Sequence, residues 1–367
     1  MDDHLRTSLR RRGFLPAEDP DSRLTLGERF EIIDQIGHDL PSLLLEPEFR
    51  SYMRGQILPH WPHPNIPPKL LSQAHLYYLR LGFIASGYIN QIGQPVTHSL
   101  PANIARPLYL IAELLERPPM LSYDGYALYN WKRYDREKAI ELGNIDTIQN
   151  FVHLYDEHWF ILVHVEIEAH AARIMDAIMA LEDSAGFDDG DAVDNSLQQI
   201  SAALDNILQV LRRIPDKMSD ELYFSRFRPY IGQFRDVTYE SMGLTVNFRG
   251  ETGAQSSMMP TLVEFMKIPH QANRLIIHLN DMRHYMPHEH VAWLDAVRAM
   301  PDVRSVASRE HFNHVLEQMA VFREVHYHWA IKYIARRCND QQGTGGTPYL
   351  KWLKYLIDET RQHQVAG

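Results

Sequence analysis

His326 stands in the middle of an apolar stripe. Phe312, Val315, Met319, Phe322, His326, Trp329 and Tyr333 follow one another at steps of three or four, the spacing of one helical face. Such a face is expected to point inward, which makes His326 a buried imidazole whose two nitrogens both need a use. A core histidine bonded to its neighbours meets that need, and so does a metal ligand whose second nitrogen is held by surrounding groups. A single neutral imidazole in an apolar surround is also what haem iron requires on its proximal side. His328, two positions on, projects from another face and cannot share a partner with His326.

A second pattern lies in His164-Val165-Glu166-Ile167-Glu168-Ala169-His170, which pairs His164 with Glu168 and Glu166 with His170 at i, i+4. That spacing suits a non-haem metal site on a helix. The pairs fall on different faces, however, and the Glu-x-x-His step of di-iron bundles is absent, so ion pairs along the helix are the simpler reading. Residues 223–230 interleave aromatic rings with Arg226 and Arg228. A guanidinium beside rings can grip a carboxylate while the rings flank a flat ligand, although ordinary surface arginines fit the same pattern. The glycine-rich stretch 343–347 lacks the Gly-Lys-Ser/Thr triplet of a phosphate loop, and reads as a mobile linker able to approach a ligand closely.

The elements that must hold these groups are helices. Residues 26–36, 70–89, 104–115, 148–181, 196–213 and 310–337 carry apolar residues at three- and four-residue spacing. One strand signal stands apart, 237–240 with 244–248 around Gly243, and predicts a minor β-hairpin. The fold expected is all-α, with a smaller N-terminal helical domain over residues 1–147 and a large helical domain over 148–367 that carries His326. Residues 184–194, acidic and glycine-containing, are expected to form an exposed connection, and 339–348 a flexible one.

Composition narrows the functional classes. A chain of 367 residues with 45% hydrophobic and 23% charged residues is expected to be globular and soluble. Its net charge of −10, without a basic stripe, speaks against nucleic-acid binding. The one cysteine, Cys338, leaves no internal disulfide and no Cys-x-x-Cys-His, so any haem would be held non-covalently. There is no long apolar run and no apolar leader after Met1, so no membrane span is expected and the cytoplasm is the expected location.

Several segments, taken in order, resemble the indoleamine 2,3-dioxygenase family. They are Tyr123-Asp124-Gly125-Tyr126-Ala127-Leu128-Tyr129-Asn130-Trp131-Lys132, Val165-Glu166-Ile167, and Tyr223-Phe224-Ser225 with Arg228. They continue with Gly253-Ala254-Gln255-Ser256-Ser257, Asp281-Met282-Arg283-His284-Tyr285-Met286-Pro287, His326 ahead of Lys332-Tyr333-Ile334, and 343–347. The likeness spans roughly residues 105–360.

This resemblance implies a haem b enzyme, active in the ferrous state, that inserts both atoms of O2 across the indole C2–C3 bond of tryptophan and yields N-formylkynurenine. It implies His326 as the proximal ligand, Arg323 near the haem propionates and Asp281 as the ion-pair partner of Arg323. It further implies Arg228 at the substrate carboxylate, Phe224, Tyr223 and Tyr126 around the indole and haem, and Thr344 with Gly345 in a loop closing over the substrate. The distal position, a serine in animal members, falls on or near Leu162, with His158 one turn earlier able to reach the same side. Tyr126 stands where some relatives have cysteine, which would narrow the pocket. The partners implied are a small-molecule indole, O2 and an electron donor that keeps the haem ferrous. Two alternatives stay open: an oxygenase for another indole derivative, and a haem-binding protein without catalysis.

Overall fold

The computed structural model describes residues 3–270, 274–337 and 348–366. In chain order they form α1 (Asp3–Arg12), α2 (Glu31–Leu43), α3 (Phe49–Arg54), α4 (Leu71–Ile89), β1 (Ser99–Leu100) and α5 (Ala102–Leu115), followed by the short strands β2 (Lys132–Arg133) and β3 (Ile145–Asp146). The long helices α6 (Tyr155–Asp183) and α7 (Gly190–Arg212) come next, then α8 (Asp220–Leu222), β4 (Phe234–Tyr239) and β5 (Leu244–Phe248). The chain ends with α9 (Met258–Phe265), α10 (Arg274–Arg283), α11 (His288–Ala299), α12 (Arg309–Ala330) and α13 (Tyr349–Gln362). The architecture is all-α with minor strands, as the periodicity implies. None of the helices is long and apolar enough to cross a membrane.

Local chemistry explains where the observed limits depart from the apolar pattern. α6 begins at Tyr155 rather than near 148, because the Glu157 carboxylate accepts from the backbone N–H groups of Phe151 (2.9 Å) and Val152 (2.9 Å) and holds them outside the helix. The exposed connection expected at 184–194 is present but shorter, running between Asp183 and Gly190 and exposed at Ser184, Ala185, Asp188 and Asp189. Phe187 is buried in a single 3-10 turn, and Asp189 caps α7 by accepting from Asp191 N (3.0 Å) and Ala192 N (3.3 Å). α12 is capped by Ser308 and passes at Ala330 into a π-helical turn, Ile331–Ala335.

The hairpin forms as expected, with Val237 facing Val246 and Gly243 turning at φ +63°, in the left-handed region. β1 adds to it in parallel, Ser99 opposite Thr238, a pairing for which two residues carry no strand pattern.

Two hydrophobic cores result. One gathers α2, α4, α5 and the inner face of the hairpin; the other gathers α7, α9, α11 and α12. α6 belongs to both, giving Ile161, Leu162 and Val165 to the first and Trp159, Val163 and Ile167 to the second. The chain does not switch cores at one point: Leu9 and Phe14 lie in the second core, while Val237 and Val246 return to the first.

Candidate active site

The apolar stripe on α12 has two halves. Phe312, Val315 and Met319 are fully buried in the second core, whereas Phe322, His326, Trp329 and Tyr333 border a cavity of about 350 Å³. α6, α9, α10 and α13 close its other sides. Much of the lining is apolar, including Ile167, Leu211, Met218, Met258, Val263 and Leu353.

His326, expected to be buried, is instead exposed where it borders this cavity, and it makes no hydrogen bond to any described residue. Desolvation, reinforced by the nearby His164, pushes its pKa down to about 4, so the ring is neutral at neutral pH with a lone pair to offer. His328 is exposed on another face and packs edge-on to Tyr327. The separation of the two histidines by helical spacing holds.

α6 forms the facing wall. Phe160, His164, Ile167 and Glu168 fall on one face of it and all line the cavity. His164 Nδ1 is 2.7 Å from the Phe160 carbonyl, an acceptor only, so Nδ1 carries the proton and donates, and Nε2 keeps its lone pair. Burial lowers the pKa of His164 as well, which leaves it neutral. The pairing of His164 with Glu168 expected along the helix does not form. Glu168 instead accepts at Oε1 from the hydroxyls of Tyr123 (2.8 Å) and Ser256 (2.6 Å), and its Oε2 has no partner. The other pair, Glu166 with His170, does form at 3.6 Å.

Two buried carboxyls therefore border the cavity. Desolvation raises Glu168 to about 7 and Glu251 to about 8. Sequence reasoning missed Glu251 altogether. Glu168 was legible only as a residue one turn beyond His164.

Tyr223 lines the cavity within a π-helical turn, Tyr223–Phe227, its ring 5.5 Å from Phe160 and 5.7 Å from Tyr333. The Arg228 guanidinium lies 5.5 Å from the Phe224 ring centroid, beside Tyr223, but of the three only Tyr223 is in the cavity lining. Arg323 lines the cavity too, donating to Leu356 O (3.0 Å) and to the Thr360 hydroxyl. Its expected ion pair with Asp281 is absent. Asp281 lies in α10 and accepts from Arg249 at 3.0 Å.

Three further expectations fall elsewhere. Leu162 faces the first core, because it sits about 160° around α6 from Phe160 by the 100° step per residue. His158 is tied to Asp146 (3.0 Å) and Thr147 (3.0 Å), outside the lining. Tyr126 is buried behind the cavity between Phe83 and Phe151, its hydroxyl donating to Glu157 (3.3 Å). The residues that α6 presents are His164 and Phe160. Thr344, Gly345 and Cys338 lie outside the described residues.

The donor set fits haem. Among the described residues no group of three or more His, Cys, Asp or Glu side chains could hold a metal ion. A metal on His326 must arrive with its other ligands, as iron in a porphyrin does. The His326 imidazole, unengaged by any described residue, and an apolar cavity of ligand size are the parts such a group needs.

These features define a helical, largely apolar pocket with the His326 imidazole open to it, of the haem-protein kind. A family model for indoleamine 2,3-dioxygenase matches residues 8–341, and the chain belongs to that family of haem-dependent dioxygenases. The indoleamine 2,3-dioxygenase of Saccharomyces cerevisiae is 29% identical, covering 95% of this chain and 90% of the relative. Indoleamine 2,3-dioxygenase 2 of Homo sapiens is 24% identical over 93% of this chain and 91% of the relative. A protein of Haliotis madaka named as a myoglobin is also 24% identical, over 92% and 93% respectively.

Proposed function

We propose that the chain binds haem b through His326 and cleaves the indole C2–C3 bond of L-tryptophan with O2, giving N-formylkynurenine. The observation that carries this reading is the neutral imidazole of His326, held by α12 without a partner among the described residues and bordering an apolar cavity in a member of a dioxygenase family. Haem held there supplies a ferrous iron for O2 chemistry. Both oxygen atoms end in the product, so the overall reaction consumes no external electrons, and a donor is needed only to keep the iron ferrous.

The protein's part is to hold and orient. His326 would hold the iron, and Arg323, one turn earlier on α12, would offer positive charge to the carboxylates of the haem. Tyr223 and Phe160 flank a flat ring, while Arg228 beside Tyr223 and Phe224 takes the substrate carboxylate. The apolar lining keeps water from the reacting atoms. Thr344 and Gly345 belong to the loop proposed to close over the substrate.

The test is anaerobic reduction of haem-loaded protein, addition of tryptophan and O2, and absorbance of the formylkynurenine product. Product should accumulate with the wild type, and should be lost together with axial ligation in His326→Ala. Arg228→Ala should lower catalytic efficiency by about 10- to 100-fold, since a lost charged hydrogen bond is worth roughly 1.5–3 kcal/mol. Reversible O2 binding with no product at full haem loading would reject catalysis and point to a carrier, the role that the Haliotis relative's name denotes.

A further inference from the structure

α6 places an unengaged acceptor in the cavity that His326 also borders, near enough for the two imidazoles to interact electrostatically. His164 Nδ1–H donates to the Phe160 carbonyl at 2.7 Å, which fixes the tautomer and leaves Nε2 with a lone pair. Nε2 has no partner among the described residues, and His164 lines the cavity. Its ring stands edge-on to Phe160 (4.6 Å between centroids) and to Tyr123 (6.0 Å), and Phe160 lies 5.5 Å from Tyr223. The acceptor thus sits among aromatic walls suited to a flat ring.

We propose that His164 Nε2 accepts a hydrogen bond from the ring N–H of the bound indole and so selects substrates that are unsubstituted at that nitrogen. This rests on the reading of the cavity as an indole site. An indole ring has one N–H donor and no strong acceptor, and burying that donor unpaired would cost free energy. A neutral imidazole answers it without placing an ion in the cavity. Glu168, one turn along the same face, is a weaker match. Tyr123 and Ser256 already occupy its Oε1, and burial favours its protonated form, which donates rather than accepts.

The experiment is equilibrium titration of haem-loaded ferric protein with two ligand pairs, tryptophan against 1-methyltryptophan and indole against 1-methylindole, read from the shift of the Soret band. The parent compound should bind about 3- to 10-fold more tightly than its N-methyl analogue in each pair, as one hydrogen bond is worth roughly 0.5–1.5 kcal/mol. In His164→Ala the ratio should fall to near one. In His164→Gln, whose amide oxygen restores an acceptor, part of it should return. Glu168→Gln should leave it unchanged.

An unchanged ratio in His164→Ala overturns the proposal. So does loss of the ratio in Glu168→Gln, or a low-spin six-coordinate spectrum that disappears with His164, because Nε2 would then be on the iron. If the indole pair discriminates and the tryptophan pair does not bind, the tryptophan assignment fails while the role of His164 stands. Binding of none of the four removes both.

Discussion

Desolvation sets the protonation states of several polar side chains, some in the cavity lining and others in the cores. Glu157, Glu168 and Glu251 are raised to about 8, 7 and 8, because a carboxylate in this surround loses its hydration. His278, His290 and His326 are lowered to about 4 for the same reason. The two sets pull stability in opposite directions. A carboxyl that is raised on folding holds its proton more tightly in the native state, so its contribution is full below the unfolded pKa near 4.5 and is lost as pH rises through the folded value. A lowered histidine costs stability as pH falls below 6.5. Comparing haem-free wild type with Glu168→Gln cancels the histidines. The stability of wild type relative to this variant should fall as pH rises from 4.5 to 7 and then level off, by up to about 3 kcal/mol. Urea unfolding across that range measures it, and a difference independent of pH would mean that folding leaves the affinity of Glu168 for its proton unchanged.

At the scale of elements, α12 shows what periodicity carries and what it omits. The stripe through His326 is one face, as its spacing implies, yet only its first half is fully buried, while the second half packs on the core and also borders the cavity. Apolar residues that face a ligand and apolar residues that face a core have the same pattern, so no sequence period could divide them. The consequence is measurable. Met319→Ala, in the fully buried half, should destabilise the haem-free chain by about 2–5 kcal/mol. Phe322→Ala, on the cavity, should cost less in that state and instead weaken haem retention. Equal losses of urea stability in the two variants, with haem retention untouched in both, would contradict the division. α6 is the opposite case. Its helical character was legible, but not its rotation. Leu162 and His158 are placed by linear correspondence to relatives, whereas the cavity is met by Phe160, His164 and Glu168, a phase that only packing between two cores determines. The expected partner of Arg323 was missed for a related reason, since Asp281 and Arg323 lie on separate helices whose approach no local pattern encodes. The π-helical turns at Tyr223–Phe227 and Ile331–Ala335 re-aim Tyr223 and Tyr333 at the cavity. Nothing in residue type announces such an insertion, although both turns fall in segments that carry the family resemblance.

For the whole molecule, the question is whether a division near residue 147 makes two independent units. Packing argues that it does not. α6 supplies Ile161, Leu162 and Val165 to one core and Trp159, Val163 and Ile167 to the other within less than three turns, so loosening either core exposes apolar surface on the same helix. The ends of the chain reinforce this. α1 lies along α6 and is pinned there by Arg6 to Glu182 at 2.5 Å, while the β4–β5 hairpin, far along the chain, returns to the first core. The site lies against the shared helix, with His164 and Glu168 on its wall. We therefore expect haem-free protein to lose tertiary and secondary structure together in urea, with tryptophan fluorescence and far-UV circular dichroism giving one coincident transition. Haem held as proposed needs α6 and α12 both in place, and should move that whole transition rather than a part of it. At a free concentration of 100 Kd the gain is about 2.7 kcal/mol. Two resolved transitions, of which haem shifts only one, would show that α6 can stay folded on a single core and that the molecule is two domains joined by a helix.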